Sequence, residues 1–128
     1  MLGWVLLLGG STGHGAATAK RLAKDGYGII AFHFDRGEAK KIAEETISEV
    51  SDLTGGNCHY FNTNAASEET LQKYIPEIKK ITNGSKLKLI LHSIAFGTTT
   101  NFFGDRPVTQ RQMDMTVHVM GNSLLYWT

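Results

Sequence analysis

The sequence predicts an α/β fold in which helices cover both faces of a parallel, doubly wound sheet. Four short apolar runs alternate with four longer segments whose apolar residues recur at helical spacing. The segments between successive strands are long enough to form right-handed helical crossovers. A cluster of glycines directly follows the first apolar run, and it accounts for part of the high glycine count of 14 in 128 residues. These features together predict a βαβ unit at the start of the chain.

The first half of the chain contains two predicted strands and two predicted helices. Trp4–Leu8 is apolar throughout and stops at glycine, which is typical of a central strand covered on both faces. A helix over Gly13–Lys24 follows, and its alanines allow it to lie close to the sheet. Gly28–Phe34 is apolar and partly β-branched, and it predicts the second strand. Apolar residues spaced three and four apart over 39–50 predict an amphipathic helix.

The next unit contains a third strand over Asn57–Asn62 and a helix that begins after the N-cap residue Ser67. Pro76 lies inside this helix and predicts a kink or a restart, because proline lacks the N–H that a helix interior uses. The predicted buried stripe of this helix consists of Leu71, Tyr74, Ile75, Ile78 and Ile81. Leu87–Leu91 predicts the fourth strand.

A polar, glycine- and threonine-rich loop over Gly97–Pro107 precedes the last helix. Thr109 and Gln112 have the spacing of a capping box at its start. The apolar stripe of this helix is predicted to contain Met113, Val117, Met120, Leu124 and Trp127.

Composition and charge exclude several classes of function. The 13 Lys and Arg residues balance 12 Asp and Glu residues, so no basic field indicates nucleic acid or an anionic membrane as a partner. Trp4–Leu8 is too short to span a bilayer, and no basic residue precedes it as in a signal peptide. The single Cys58 excludes an internal disulfide and favours a cytoplasmic location. The five histidines have no i, i+4 pair, so we expect no metal site.

The glycine cluster lies between the first strand and the first helix. Gly9, Gly13 and Gly15 have the spacing G-x-x-x-G-x-G, which is related to the dinucleotide-binding fingerprint. A loop at this place presents backbone N–H groups and the positive end of a helix dipole to an anion. We therefore expect this loop to bind a pyrophosphate.

Two other motifs overlap the same residues. Gly9-x-Ser11-x-Gly13 also matches a nucleophile elbow, which would make Ser11 the nucleophile of a serine hydrolase. The first strand is an unusual position for that elbow, and the required order of acid and histidine is met only formally, by Asp35 or Asp52 before His59 or His92. A phosphate-binding Walker A loop is excluded, because Gly15 is followed by alanine instead of Lys-Ser/Thr.

With this loop, the His33–Arg36 segment and the residues after the fourth strand, the sequence resembles the amino-terminal half of the short-chain dehydrogenase/reductase family. His92-Ser93-Ile94-Ala95-Phe96 looks like the corresponding segment of the enoyl-acyl-carrier-protein reductase branch. The resemblance implies an incomplete Rossmann-like sheet with strand order 3-2-1-4. It also implies an NAD(P)H-dependent oxidoreductase that reduces an enoyl or keto thioester in fatty-acid synthesis.

The resemblance also implies which residues bind the cofactor. The pyrophosphate and the adenosine ribose would be bound by the loop residues Gly9, Ser11, Thr12, Gly13, His14 and Gly15. The nicotinamide ribose and the floor of the substrate pocket would be lined by Ser93, Ile94 and Ala95. Asn64 stands where the family has an adenine-contacting Asp, and His118 stands near a catalytic Asn of many members.

Cofactor choice depends on the end of the second strand. By the family's spacing, His33 occupies the position of the carboxylate that selects NAD, and Arg36 stands where related reductases bind the 2′-phosphate of NADP. Asp35 lies 20 residues after Gly15, which is also a typical distance for a carboxylate that binds the ribose of NAD. A guanidinium binds phosphate with two parallel hydrogen bonds, so NADP(H) is slightly favoured over NAD(H).

The family's proton donor, a tyrosine with a lysine after it, is not present in these 128 residues. We therefore expect residues 1–128 to be the dinucleotide-binding part of a longer reductase without its catalytic half, with an apolar fourth strand exposed at the sheet edge. The last helix would then contact a second copy in a dimer or tetramer. The substrate would be a small molecule or an acyl thioester. A non-catalytic nucleotide-binding or assembly module is the main alternative, and the serine hydrolase is a third.

Overall fold

The computed structural model describes all residues from Met1 to Thr128 and contains one parallel four-stranded sheet with the order β3-β2-β1-β4. The α/β class and this strand order confirm the predicted fold. The chain divides into two compact units, Met1–Ser93 and Ile94–Thr128. In the first unit the elements are β1 (Trp4–Leu8), α1 (Gly13–Lys24), β2 (Gly28–His33), α2 (Glu38–Thr54), β3 (Cys58–Asn62), α3 (Glu68–Ile81) and β4 (Leu89–His92).

The core of the first unit is built on the two central strands. Every residue of β1 and of β2 is buried, as expected for parallel strands covered on both faces. The two strands pair in parallel with Val5 opposite Ile29 and Leu7 opposite Ala31. Ala19 of α1 is fully buried in the same cluster, because its small side chain lets the helix lie close to the sheet.

The outer strands are less covered. Residues Cys58 to Phe61 of β3 are half-buried, and β4 pairs with β1 on one side only. Leu89 at the start of β4 is 41% exposed. The predicted second strand ends one residue early, at His33, because the side chain of Phe34 already points into solvent. The fourth strand begins at Leu89 and not at Leu87.

Helix α3 differs from its prediction in two ways. It runs without interruption from Glu68 to Ile81, so Pro76 does not restart it. Thr70 and Ile78, on either side of the proline, are both buried. Ile75 is 37% exposed and lies outside the buried stripe. Ser67 is the N-cap residue, as predicted, but its side chain makes no capping hydrogen bond.

The second unit contains the loop and the last helical region. The predicted capping box is confirmed: Gln112 N–H donates to Thr109 Oγ1, and Thr109 N–H donates to Gln112 Oε1. The single predicted helix is in fact three segments, which are α4 (Gln110–Thr116), a π-helical segment (Val117–Asn122) and α5 (Ser123–Tyr126).

The π-helical segment changes which residues of the last region are buried. A π-helix closes i→i+5 hydrogen bonds, so its side chains rotate away from the 3.6-residue repeat. The buried residues are Val119, Ser123 and Trp127, four apart. Of the predicted stripe, only Trp127 is buried, whereas Met113, Val117, Met120 and Leu124 are 39–51% exposed. None of the helices combines the length and apolar character needed to cross a membrane.

Candidate functional site

The loop between β1 and α1 is tied to the end of the neighbouring strand β2. The backbone N–H groups of Gly9 and Gly10 both donate to the carbonyl oxygen of Phe32, at 2.9 and 3.1 Å. Gly9 makes the turn out of the strand at φ 93°, a conformation that side chains with a Cβ rarely adopt. The loop therefore has a fixed position at the carboxyl edge of the sheet, where ligands of such sheets bind.

The third glycine of the motif brings α1 into direct contact with the loop. A Cβ atom at Gly15 would lie 1.6 Å from the carbonyl oxygen of Gly9 and 3.2 Å from the Cα of Gly10. Only glycine fits between these backbone segments. The spacing found in the sequence thus corresponds to a physical requirement, because the start of α1 packs on the end of β1 without a side chain between them.

The first turn of α1 leaves its N–H groups without a side-chain cap. Thr12 is the N-cap residue, but it makes no side-chain capping hydrogen bond, and no acidic residue lies in the first turn. Gly13 adopts φ 55°, and a Cβ there would meet nothing within 4 Å. Thr12 and His14 are exposed on either side of it. Uncapped N–H groups at the positive end of a helix, with open space in front of them, fit an anionic ligand such as a pyrophosphate.

Ser11, His33 and Asp35 form a hydrogen-bonded cluster beside this loop. Ser11 Oγ donates to Asp35 Oδ2 at 2.6 Å, and His33 Nδ1 lies 2.8 Å from the same oxygen. Ser11 and His33 are buried, whereas the side chain of Asp35 is 16% exposed. Ser11 and His33 were predicted as cofactor-binding residues, and the structure brings them together through a carboxylate that was not in that set.

Asn62, the last residue of β3, fixes the backbone of Asp35. The Asp35 N–H donates to Asn62 Oδ1 at 3.0 Å, and Asn62 Nδ2 donates to the carbonyl of Asp35 at 2.9 Å. Asp35 is therefore held at its backbone by one side chain and at its carboxylate by two others. Asn62 was not among the predicted site residues, although an amide at the end of the strand next to β2 is a usable signal.

The same cluster differs from the arrangement of a serine hydrolase. In a catalytic triad the histidine lies between the serine and the acid and takes the serine proton. Here Asp35 lies between Ser11 and His33, and the serine hydroxyl donates to a carboxylate. His59, one of the histidines considered as a triad member, packs against the ring of Trp4 at 5.6 Å. The geometry of Ser11 does not support the hydrolase hypothesis.

Arg36 and Asn64 lie at the same edge of the sheet but are more exposed. The guanidinium of Arg36 lies over the exposed ring of Phe34, 4.9 Å from its centre, and forms no ion pair. Asn64 Oδ1 accepts a hydrogen bond from the N–H of Ala66 at 3.0 Å, within the turn that leads to α3. Its side-chain NH₂ is left for a ligand, so an adenine contact would use a donor of Asn64 or the second lone pair of its oxygen.

The segment after β4 starts next to the glycine loop. Ser93 N–H donates to the carbonyl of Leu8 at 2.7 Å, which extends the pairing of β4 with β1 by one residue. Ser93 is half-buried, and it lies beside the last residue before Gly9. Ile94 and Ala95 follow it directly in the chain, at the start of the second unit. The structure therefore brings Ser93 to the loop.

The sequence matches one known protein family over nearly its whole length. The family model described as "short chain dehydrogenase" matches residues 3–128. The chain belongs to the short-chain dehydrogenase family. Members of this family are oxidoreductases that use NAD(P)H, and the match does not distinguish the enoyl reductase branch from others. A search of curated proteins finds no match to the sequence.

Solved structures of short-chain dehydrogenases have the same fold as this chain. A short-chain dehydrogenase/reductase from Serratia marcescens has a TM-score of 0.77 and 23% identity over 98% of this chain and 48% of its own. A 3-oxoacyl-[acyl-carrier protein] reductase from Brucella melitensis has a TM-score of 0.77 and 18% identity, and the match covers 98% of this chain and 47% of that protein. L-Sorbose reductase from Gluconobacter frateurii, in complex with NADPH and L-sorbose, has a TM-score of 0.78 and 13% identity, and the match covers 97% of this chain and 44% of that protein. This chain spans about half the length of these proteins.

Tyr60 does not have the properties of a short-chain dehydrogenase proton donor. Its hydroxyl donates to the carbonyl of Gly10 at a long 3.4 Å, below the loop. Burial, followed by electrostatic repulsion from Cys58, raises the pKa of Tyr60 well above its ordinary value near 10. A general acid works best with a pKa close to the working pH, so a raised tyrosine pKa is unfavourable for proton transfer. Tyr60 is a structural residue that supports the loop.

Proposed function

We propose that this chain is the dinucleotide-binding part of an NAD(P)H-dependent oxidoreductase. The observation that carries the proposal is the contact of Gly15 with the Gly9 carbonyl, because it aims the uncapped first turn of α1 at the carboxyl edge of the sheet. The donors at this place are backbone N–H groups, and the glycines leave room for close approach. This is what a pyrophosphate requires.

The residues at the site have distinct roles in this proposal. The loop from Gly9 to Gly15 binds the pyrophosphate through backbone N–H groups. Ser93, whose backbone N–H donates to the carbonyl of Leu8, contacts the nicotinamide ribose. Ile94 and Ala95 line that ribose and the floor of the substrate pocket in this proposal. Asn64 contacts the adenine. When bound, the nicotinamide supplies or accepts a hydride, and the side chains of this chain bind and orient it.

The substrate that the sequence favours is an enoyl or keto thioester. The segment His92–Phe96 carries this part of the proposal through its resemblance to enoyl-acyl-carrier-protein reductases. The cytoplasmic location and the slight preference for NADP(H) remain predictions. The preference depends on Arg36, whose exposed guanidinium is available for a 2′-phosphate. Arg36→Asp should weaken NADPH binding, and an unchanged NADPH affinity would contradict this role.

Hydride transfer in this proposal needs further residues for protonation. The chain has no tyrosine–lysine pair of the family's kind, and its structural relatives are about twice its length. Strand β4 pairs on one side only, with Leu89 exposed at its start. An unpaired apolar edge is normally covered in folded proteins. We therefore propose that residues 1–128 act together with a catalytic half that extends the sheet beyond β4.

A non-catalytic nucleotide-binding module is the second candidate, and the missing tyrosine–lysine pair is the observation that favours it. Turnover separates the two candidates. Reduction of a crotonyl thioester by the chain in its natural context, with NADH or NADPH, supports the oxidoreductase. Dinucleotide binding without any turnover of thioester or carbonyl substrates supports the module.

The binding proposal is tested by calorimetric titration with NADH and NADPH. His14→Glu places a carboxylate in the first turn of α1, where it stabilises the helix and repels a pyrophosphate, so binding should fall at least tenfold while the fold is kept. Gln72→Glu adds the same charge at an exposed position in the middle of α3 and should leave affinity unchanged. Absence of binding to the unmodified chain, or equal effects of both variants, would refute the proposal.

A further inference from the structure

The connection between α3 and β4 contains an asparagine that is followed by glycine. Asn83 and Gly84 come directly after Thr82, the C-cap residue of α3, and both are exposed. Asn83 adopts φ 51° and Gly84 adopts φ 75°, so both residues lie in the left-handed region. Asparagine is one of the few residues with a side chain that tolerates this conformation. The helix therefore ends in a left-handed turn that is open to solvent.

Two backbone hydrogen bonds hold this turn against the end of the helix. The N–H of Asn83 donates to the carbonyl of Lys80 at 3.1 Å, and the N–H of Gly84 donates to the carbonyl of Lys79 at 2.9 Å. This pattern is a Schellman cap, which satisfies carbonyl groups that a helix leaves without partners at its end. The backbone nitrogen of Gly84 is thus engaged for as long as the cap is closed.

No other asparagine of the chain combines a free side chain with a following glycine. Three of the others have side chains that form hydrogen bonds to the backbone, namely Asn57, Asn62 and Asn64. Asn101 and Asn122 are exposed, but Phe102 and Ser123 follow them. The side chain of Asn83 has no hydrogen-bond partner. Its amide is therefore the one that meets a backbone nitrogen with no neighbouring Cβ.

An asparagine amide next to glycine can react with the main chain. The Gly84 nitrogen, after it gives its proton to hydroxide, can attack Cγ of Asn83. A succinimide ring forms as the bond from Cγ to Nδ2 breaks, and the side-chain nitrogen leaves as ammonia. Water then opens the ring at one of its two carbonyl carbons and gives aspartate or isoaspartate. A Cβ on the second residue would crowd this ring, whereas Gly84 has none and has open space around it.

We propose that Asn83 is a modification site of this chain, where the amide is converted spontaneously to aspartate and isoaspartate at a rate set by the cap of α3. The attacking nitrogen is the donor of the cap hydrogen bond to Lys79, so it reacts only when the end of the helix opens. Helix ends open more readily than the centre of a fold. Isoaspartate adds one carbon to the main chain before Gly84, which moves its N–H away from Lys79. The modified chain therefore loses the cap that slowed the reaction.

The test follows the whole chain in mildly alkaline buffer, folded and in guanidinium chloride. Mass spectrometry of the peptide that contains Asn83 measures conversion, and isoaspartate methyltransferase with a labelled methyl donor detects the isoaspartate. The Asn83 peptide should convert in the folded chain, and about tenfold or more faster in the unfolded chain, where two cap hydrogen bonds no longer have to open. Asn101, exposed but followed by Phe102, is the internal control and should keep its amide over the same time.

Two variants separate the roles of the amide and of the glycine. Gly84→Ala should slow conversion at least severalfold even in guanidinium chloride, where the fold of the variant has no influence. Asn83→Gly removes the amide but keeps a residue suited to the left-handed turn. After long incubation, Asn83→Gly should keep its Tm while the unmodified chain loses part of its own.

Each part of the proposal has a result that would overturn it. Equal rates in the folded and unfolded chain would refute control by the cap. An Asn83 peptide that stays unchanged in the folded chain while Asn101 converts would refute the site. An unchanged rate for Gly84→Ala in guanidinium chloride would refute the part of Gly84. None of these measurements involves a dinucleotide, so their outcome is independent of the proposed function.

Discussion

Replacing Gly15 with alanine tests whether the loop and α1 are packed as the structure shows. The added Cβ would lie 1.6 Å from the Gly9 carbonyl oxygen, whereas real Cβ contacts are essentially never shorter than 3.0 Å. The two backbone segments would have to separate by the difference, about 1.4 Å. Such overpacking costs about 1–3 kcal/mol. The shift also weakens the two hydrogen bonds from Gly9 and Gly10 to Phe32, each worth about 1 kcal/mol.

These contributions give a loss in the free energy of unfolding of about 3 kcal/mol or more for Gly15→Ala. For a domain of this size that corresponds to a fall in Tm of about 10 °C. Thermal and urea denaturation, followed by circular dichroism, measure both quantities. Dinucleotide binding should be lost in the folded fraction, because the first turn of α1 is displaced from the loop.

Gly13→Ala is the matched control, because Gly13 lies two residues earlier in the same motif. A Cβ there meets nothing within 4 Å, and the cost is confined to the backbone at φ 55°. That conformation costs a residue with a Cβ about 1–2 kcal/mol. Gly13→Ala should therefore destabilise clearly less than Gly15→Ala. Equal effects of the two variants, or a Gly15→Ala protein as stable as the original, would refute the packing argument.

Three further predictions concern Asn62, Tyr60 and the last helical region. Asn62→Ala removes both hydrogen bonds to the Asp35 backbone and should lower the free energy of unfolding, measured by urea denaturation, by about 1 kcal/mol. Asn57→Ala removes one exposed hydrogen bond and should lower it less. The reverse order would contradict the role of Asn62 in holding the Asp35 backbone. Because the pKa of Tyr60 is raised in the folded chain, the free energy of unfolding should fall as pH rises above about 10, where the tyrosine of the unfolded chain ionises first. Tyr60→Phe should flatten this pH dependence. An unchanged slope in that variant would exclude Tyr60 as its source. Leu125 is 73% exposed, and Leu125→Lys should lower the mass measured by sedimentation if the last helical region joins two copies. Leu2→Lys, at a residue of the first unit that is 61% exposed, should leave the mass unchanged. An unchanged mass for Leu125→Lys speaks against that interface.

The sheet could be predicted from the sequence because its central strands are buried on both faces. Trp4–Leu8 is an uninterrupted apolar run between loop residues, and the structure places a strand over the same residues. The edge strands were placed less well, since β4 is short and its first residue, Leu89, is 41% exposed. Apolar composition specifies burial more directly than it specifies strand pairing, so the ends of edge strands depend on their neighbours.

The last helical region could not be predicted in detail for a related reason. A 3.6-residue pattern predicts that Met113 and Met120 are buried, whereas the structure buries Val119 and Ser123. The sequence contains enough apolar residues to support either stripe. Which stripe is buried depends on backbone hydrogen bonding, and no residue type in this segment specifies that bonding.

Glycine spacing predicted the backbone of the candidate site, but it did not predict the charges around it. The spacing of Gly9 and Gly15 after the first strand was visible in the sequence, and the structure shows its reason, because their contact leaves no room for a side chain at Gly15. Asp35 was recognised as a candidate ribose carboxylate, yet its connection to Ser11 joins residues 24 positions apart. The amide of Asn62 comes from still further along the chain. Contacts of this kind follow from the sheet order, which places the ends of β1, β2 and β3 side by side.

The adjacent charges of Asp35 and Arg36 differ in how firmly each is held, and residue type alone does not reveal that difference. A charged group discriminates between ligands only to the extent that its position is fixed before binding, because a mobile side chain loses conformational entropy when it is ordered and can also turn away from an unfavourable ligand. Asp35 is ordered by hydrogen bonds at both its backbone and its carboxylate. Arg36 is exposed and lies over the ring of Phe34, which is itself exposed. The two adjacent charges thus predict opposite cofactor preferences, and the hydrogen-bond partners of Asp35 bear on its effect as much as its charge does.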